Sequence, residues 1–164
     1  MFTNNELYMT EKDLAALNKR LDELRTRLNV DIAQRLRAAI ALGDITENAE
    51  YEDARNEQSF VKGQILELED KLSKAVIFSG EDVTEDVVGM GTRVVVRNEQ
   101  YGDEDVYHIC GTVSADPLRG FISNDSPVGS ALYGKRVGDS VAVNTPGGSI
   151  RLTILSITKS DEVQ

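Results

Sequence analysis

Five carboxylates crowd one short stretch of this chain: Asp44, Glu47, Glu50, Glu52 and Asp53. Two chemistries fit the leading pair, Asp44 and Glu47. The first is helix capping. An acid followed three residues later by Glu has capping-box spacing, and carboxylates in a first turn meet the positive end of the helix dipole. The second is metal ligation, because hard carboxylate oxygens suit Mg²⁺. Two carboxylates do not complete a Mg²⁺ shell, so a partner would supply the remaining ligands. The two roles are compatible, since one carboxylate can cap while the other reaches outward. Asn48 and Tyr51 lie just beyond, and Tyr51 suits covering the apolar interior beneath the acids. Arg55 suits a phosphate, or an ordinary surface pairing with Glu52 or Tyr51.

The elements that must carry these residues are written in the apolar spacing. Leu14, Leu17, Leu21, Leu24 and Leu28 recur at alternating intervals of three and four. Val61, Ile65, Leu68, Leu72 and Val76 make a second such stripe. Each is a coiled-coil seam. Read in opposite directions, the two stripes pair Leu14 with Val76, Leu17 with Leu72, Leu21 with Leu68, Leu24 with Ile65 and Leu28 with Val61. The paired numbers have a nearly constant sum, as a chain folded back on itself requires. The fold point falls near residues 44 and 45, among the carboxylates.

This spacing predicts helices over residues 11–43 and 46–76, with the reversal at 43–46. Gly43 suits a helix C-terminus, Asp44 and Thr46 suit the cap of the returning helix, and Thr10 to Asp13 reads as the opening cap of the first. Arms of about 30 residues at 1.5 Å each give a rod of roughly 45 Å. Beyond Leu28 the first arm continues with Ile32, Leu36 and Ile40, opposite Gln58, Ala54 and Glu50. The seam thus becomes less apolar toward the acidic end. A rod of that length ending in acids is shaped to reach something.

The composition changes near residue 79. Between residues 10 and 78 there is no proline, and Gly43 and Gly63 are the only glycines. The other 11 of the 13 glycines, and all three prolines, lie from 79 onward. Strand-like runs appear there, such as Thr92–Val96 and Val106–Ile109. The expected fold class is α+β, with a coiled-coil hairpin over residues 1–78 and a β-rich domain over 79–164. Ser126 before Pro127 predicts the capped start of a short helix through Tyr133. Thr145-Pro146-Gly147-Gly148 predicts a turn between strands. No Lys-Ser/Thr pair follows those glycines, so a phosphate loop is excluded.

The chain has 164 residues, 40% of them hydrophobic and 28% charged, which is a folded rather than a disordered composition. Its net charge of -10 excludes general nucleic-acid binding by counterion release. Cys110 is the only cysteine and His108 the only histidine, excluding an internal disulfide and a cysteine or histidine metal cluster. Both read as strand residues that pack or face solvent. No apolar run approaches the roughly 20 residues of a membrane span, and the first residues lack signal-peptide character. The expected location is the cytoplasm.

Two blocks carry a resemblance to a known family. The first is Gly43-Asp44-Ile45-Thr46-Glu47-Asn48-Ala49-Glu50-Tyr51, followed by Ala54-Arg55-Asn56-Glu57-Gln58. The second is Ile122-Ser123-Asn124-Asp125-Ser126-Pro127-Val128-Gly129, followed by Leu132-Tyr133-Gly134-Lys135-Arg136-Val137-Gly138-Asp139 and Thr145-Pro146-Gly147-Gly148. With both blocks in order, the chain resembles the GreA/GreB transcript cleavage factors from about Met9 to Ile157. Its acidity is more like GreA than GreB.

The resemblance implies an antiparallel coiled coil and an FKBP-like β domain. It implies a monomeric accessory factor, not itself an enzyme, that works on bacterial RNA polymerase. The β domain would dock at the rim of the secondary channel through Asp125, Ser126 and Pro127. The coiled coil would bring Asp44 and Glu47 to the active site, where they would share a Mg²⁺ with the polymerase and promote hydrolysis of backtracked RNA. Asn48, Tyr51 and Arg55 would lie near the RNA 3′ end.

One departure stands out. Where relatives often carry a basic residue on the first arm near the tip, this chain has Ala38-Ala39-Ile40-Ala41-Leu42. Arg35 and Arg37 lie further back. The departure keeps a second reading open, a channel-binding regulator that does not support cleavage. A prolyl isomerase fits poorly, because fold alone does not license it and aromatic residues are only 5%.

Overall fold

The computed structural model describes residues 6–43 and 48–160. They divide into two units, Leu14–Lys74 and the remainder. By its contacts, the N-terminal segment up to Asp13 joins the β-rich part. The reason is a two-stranded parallel sheet that the apolar pattern concealed. Strand β1 (Leu7–Met9) pairs with β2 (Ala75–Ile77), register Tyr8 to Val76. Val76 ends the apolar stripe as a strand residue, so the second helix stops at Ser73, three residues short of the expected end.

In the helical unit, α1 (Glu11–Thr26) leads through a π turn (Arg27–Ile32) into α2 (Ala33–Ala41), and α3 (Ala49–Ser73) returns. The 25 residues of α3 correspond to roughly 37 Å of helix. The opening cap is as expected. Thr10 Oγ1 accepts from the Asp13 N–H at 3.2 Å, and Asp13 Oδ2 accepts from the Thr10 N–H at 3.1 Å. Leu21, Leu24, Ile32, Val61 and Ile65 form the buried seam, with Leu28, Leu36, Leu68 and Leu72 packed against it. Leu21 and Leu68 thus share one cluster, as the antiparallel pairing requires. Fully burying a residue such as Leu24 or Val61 stabilises the hairpin by about 2 kcal/mol each.

Near the tip the seam departs from the expected positions. Ala39 is buried at 3% exposure, whereas Ile40 is 49% exposed. Ile32 and Leu36 keep their expected places, so only the last step shortens, from four residues to three. Upstream, the π turn inserts one residue into the helix. A continued seven-residue repeat after Leu28 would place Asp31, Arg35 and Ala38 inward, and all three are exposed. The inserted residue advances the seam to Ile32, Leu36 and Ala39.

One seam polar group is unmatched among the described residues. Gln64 Oε1 is buried and has no hydrogen-bond partner. A buried acceptor without a donor costs about 1 kcal/mol or more. Gln64→Met, of similar length, is therefore expected to stabilise the hairpin by about 1 kcal/mol in chemical denaturation. A destabilised variant would show that the amide is satisfied in solution.

In the other unit, five strands lie in the order β5-β4-β3-β7-β6. They are β3 (Thr92–Asn98), β4 (Glu104–Cys110), β5 (Phe121–Ser123), β6 (Ser140–Thr145) and β7 (Gly148–Lys159). All pairings are antiparallel except β4 with β5. The short helix α4 (Pro127–Leu132) buries Leu132 completely in the apolar core. The expected turn closes β6 on β7, with Thr145 paired to Gly148 and Gly148 at φ +121°. The fold class is α+β, as read from the sequence.

A second one-residue irregularity appears in β7. Val95 pairs with Ser156 but Val96 pairs with Ile154, so β7 bulges between them. The bulge shifts the inward phase, and Leu152, Ile154 and Ile157 are all buried. Strict alternation would have turned Ser156 inward and Ile157 outward. Among the described residues, no helix is long and apolar enough to cross a membrane.

Candidate functional site

Asp44 and Glu47, with the expected reversal at 43–46, lie outside the described residues, apart from Gly43. What the structure does describe is both ends of the segment that carries them. Gly43 has φ +106°, a left-handed conformation that suits glycine at a helix end. On the other side, the cap of α3 is Asn48. It is neither Asp44 nor Thr46, the caps expected from the sequence. Asn48 Oδ1 accepts from the Tyr51 N–H at 3.1 Å. The amide nitrogen of Asn48 also donates to the Ala39 carbonyl oxygen at 2.7 Å.

One side chain therefore ties the end of α2 to the start of α3. Asn is an efficient cap, and its short amide offers a donor and an acceptor on opposite sides. This role was missed because several residues of the segment are good caps by type. The correction bears on the acids. With Asn48 as the cap, the head of α3 is capped without Asp44 or Glu47.

Tyr51 is half-buried, and the Arg55 guanidinium stands 6.0 Å from its ring centroid. That is at the outer edge of a cation–π contact. Arg35 is not available as a loose cation behind the tip. Arg27 and Arg35 both donate to the Glu57 carboxylate on α3. The Arg35 contact first, and then Arg27, holds the Glu57 carboxyl below its ordinary range. No cluster of three or more His, Cys, Asp or Glu residues arranged to hold a metal occurs among the described residues. Asp44 and Glu47 fit Mg²⁺ only by the chemistry of their donors, as two oxygen ligands of an incomplete set.

The second candidate site, Asp125-Ser126-Pro127, is fully described. Ser126 is the cap of α4, its Oγ accepting from the Gly129 N–H at 3.1 Å and donating to the Ser123 carbonyl at 2.7 Å. Pro127 occupies the first helical turn, where its missing N–H costs nothing. Asp125 is exposed, and its Oδ2 accepts from the Thr112 hydroxyl at 3.3 Å. Beneath them Asn124 is 97% buried by the packing around it, at only 3% exposure, and its N–H donates to the Cys110 carbonyl. The turn is held rigid from below while Asp125 and Pro127 face outward at its start.

Because Asp125 contributes one weak hydroxyl contact, Asp125→Ala should leave the melting temperature within about 2 °C of wild type. Pro127→Ala should behave similarly, because alanine also suits that position. Both are expected to weaken competition for RNA polymerase, and unchanged competition by both would remove the docking assignment.

His108 and Cys110 pack as expected of strand residues. The His108 ring stacks on Phe121 with centroids 4.5 Å apart, and its Nδ1 lies 2.7 Å from Ser160 Oγ. Cys110 is buried, its thiol donating to the Ile122 carbonyl. Burial, and then the charge of Asp13, push that thiol up to about 12, so it is not a nucleophile at neutral pH. Asp13 itself accepts from the Ser114 hydroxyl at 2.6 Å, a contact across 101 positions that no local pattern announces.

Comparison with known proteins covers both units. Residues 83–159 match the family model described as transcription elongation factor, GreA/GreB, C-terminal, and residues 7–77 match that for the transcription elongation factor N-terminal domain. The chain is 42% identical over 159 residues to a transcription elongation factor GreA of Acetivibrio thermocellus, covering 97% of this chain and all of that one. It is 42% identical over 151 residues to that of Thermoanaerobacter pseudethanolicus, covering 92% and 96%. Among solved structures it is similar to GreA factor homolog 1 of Thermus thermophilus, at 29% identity over 93% of this chain and 99% of that one, with a TM-score of 0.42.

Proposed function

The chain belongs to the GreA/GreB family of transcription elongation factors, and from that premise we propose that it is a transcript cleavage factor. It acts as a monomer in the cytoplasm, as an accessory to bacterial RNA polymerase and not as an enzyme. The β-rich unit docks on the polymerase through Asp125, Ser126 and Pro127. The helical hairpin enters the secondary channel and presents Asp44 and Glu47 to the active site.

The observation that carries this reading is the double role of Asn48. It caps α3 and holds Ala39, so the two helices that flank the acid-bearing segment are tied together without Asp44 or Glu47 as the cap. Capping of α3 therefore requires neither acid. Their donor set suits Mg²⁺, and the polymerase supplies the other ligands. When bound there, Mg²⁺ lowers the pKa of a coordinated water and stabilises charge on the phosphate. The contribution of this chain is to bring two negative oxygens to a fixed place. Tyr51, with Arg55 beside its ring, offers an aromatic and a cationic contact to the RNA 3′ end.

The test is single-turnover cleavage of a stalled, backtracked elongation complex with and without the protein. Accelerated release of a 3′ RNA fragment supports the proposal. Binding to polymerase without accelerated release would instead make the chain a non-cleaving channel regulator.

A further inference from the structure

The π turn and Glu57 together form a device that the proposed function has not used. Arg27 and Arg35 bracket the π turn, one at its first residue and one just past its end. In an unbroken α-helix, positions eight apart sit about 80° apart around the axis, at 100° per residue. Here both guanidiniums reach the same carboxylate, that of Glu57. The inserted residue absorbs the mismatch. With the insertion between them, the two arginines fall on nearly one face, and both pair with Glu57.

The consequence lies at the tip. With the insertion localised, the residues turned toward α3 beyond it are Ile32, at 1% exposure, and Ala39, at 3%. Ala39 then offers its carbonyl to Asn48. If the extra residue were spread or moved, Ala39 would rotate away and Asn48 would lose its acceptor. We propose that Glu57 is a positioning residue for the end of the hairpin: by clamping Arg27 and Arg35 it fixes the helical phase that lets Asn48 tie the end of α2 to the start of α3. Its effect on cleavage rests on the function proposed above; its effect on phase does not.

The sequence supplies an unusual control. Deleting Val30, which is 45% exposed inside the π turn, removes the extra residue. Leu28, Ile32, Leu36 and Ala39 then fall at seam spacings of three and four without any insertion. In that background the phase no longer needs Glu57.

The experiment compares the full-length chain, Glu57→Ala, the Val30 deletion and the double variant. Amide hydrogen exchange reads the phase, and single-turnover cleavage at saturating factor reads the consequence. In Glu57→Ala, exchange should speed by about tenfold or more at Leu42 and Glu52, which donate to Ala39 and Asn48. Exchange at Leu21 and Leu24 should stay unchanged. Cleavage at saturation should slow by about tenfold or more, while the half-saturating concentration holds, because a small misplacement of the acids suffices. The double variant should recover both. Unchanged exchange at Leu42 and Glu52 in Glu57→Ala would overturn the proposal. So would an equal rise along the whole hairpin, which marks a general loss of stability, or a failure of the deletion to restore protection. If the wild type itself stimulates no cleavage, the functional reading falls and the exchange results still decide the role of Glu57.

Discussion

Asp44→Asn and Glu47→Gln are each expected to slow stimulated cleavage roughly a hundredfold or more while leaving polymerase binding intact. Both substitutions keep the size of the side chain and one acceptor oxygen, and both remove the negative charge. A ligand for Mg²⁺ needs that charge; a helix cap does not, since Asn caps as well as Asp. Losing about 3 kcal/mol of transition-state stabilisation already slows a reaction more than a hundredfold. Because Asn48 is the cap of α3, neither substitution touches the described anchoring of the tip. The variants should therefore compete with wild-type factor for the polymerase. The decisive measurement is single-turnover cleavage at several Mg²⁺ concentrations, beside a binding assay. Near-normal cleavage by Asp44→Asn would remove that carboxylate from the chemistry. Joint loss of cleavage and binding would mean that the acids hold the tip together.

Gly129→Ala should give the largest effect on docking. This glycine has ordinary backbone angles, so the reason is space and not conformational freedom. A Cβ there would lie 2.0 Å from the Ser123 carbonyl oxygen and 2.8 Å from Ser126 Oγ. The first of these atoms is backbone and cannot swing aside. The substitution must push α4 away from β5 and break the Ser126 cap, which accepts from the Gly129 N–H itself. Overpacking of this kind costs about 3 kcal/mol, or roughly 10–20 °C in melting temperature for a unit of this size. Polymerase competition should fall with it, whereas Asp125→Ala should lose competition without losing stability. A Gly129→Ala protein with wild-type melting and wild-type competition would contradict both the packing and the docking assignment.

The two predictions draw on different levels of information. Both candidate sites were named from the sequence, the acids by type and spacing and the docking turn by the family resemblance. So was the antiparallel hairpin, because the seams from Leu17 to Leu28 and from Val61 to Leu72 pair with a nearly constant sum. The β6–β7 turn and the Ser126-Pro127 helix start were also legible, since caps and turns depend on a few adjacent residues. Local chemistry is enough to specify local structure when one arrangement satisfies the backbone better than its rivals.

Choice among equivalents was decided by the tertiary fold. Asp44, Thr46 and Asn48 are all competent caps, and Asn48 is selected because its amide can also reach the Ala39 carbonyl. Val76 suits a helical seam and a strand equally, and becomes a strand residue because β1 lies beside it. The two one-residue insertions, the π turn in the first arm and the bulge in β7, follow the same logic. Ala38 and Ser156 sit where simple periodicity would bury them, yet Ala39 and Ile157 are buried instead. A period read along one segment carries no record of its partner. Burial against that partner is worth more than the hydrogen-bond regularity lost at a single turn, so packing sets the phase and the backbone yields one residue to it.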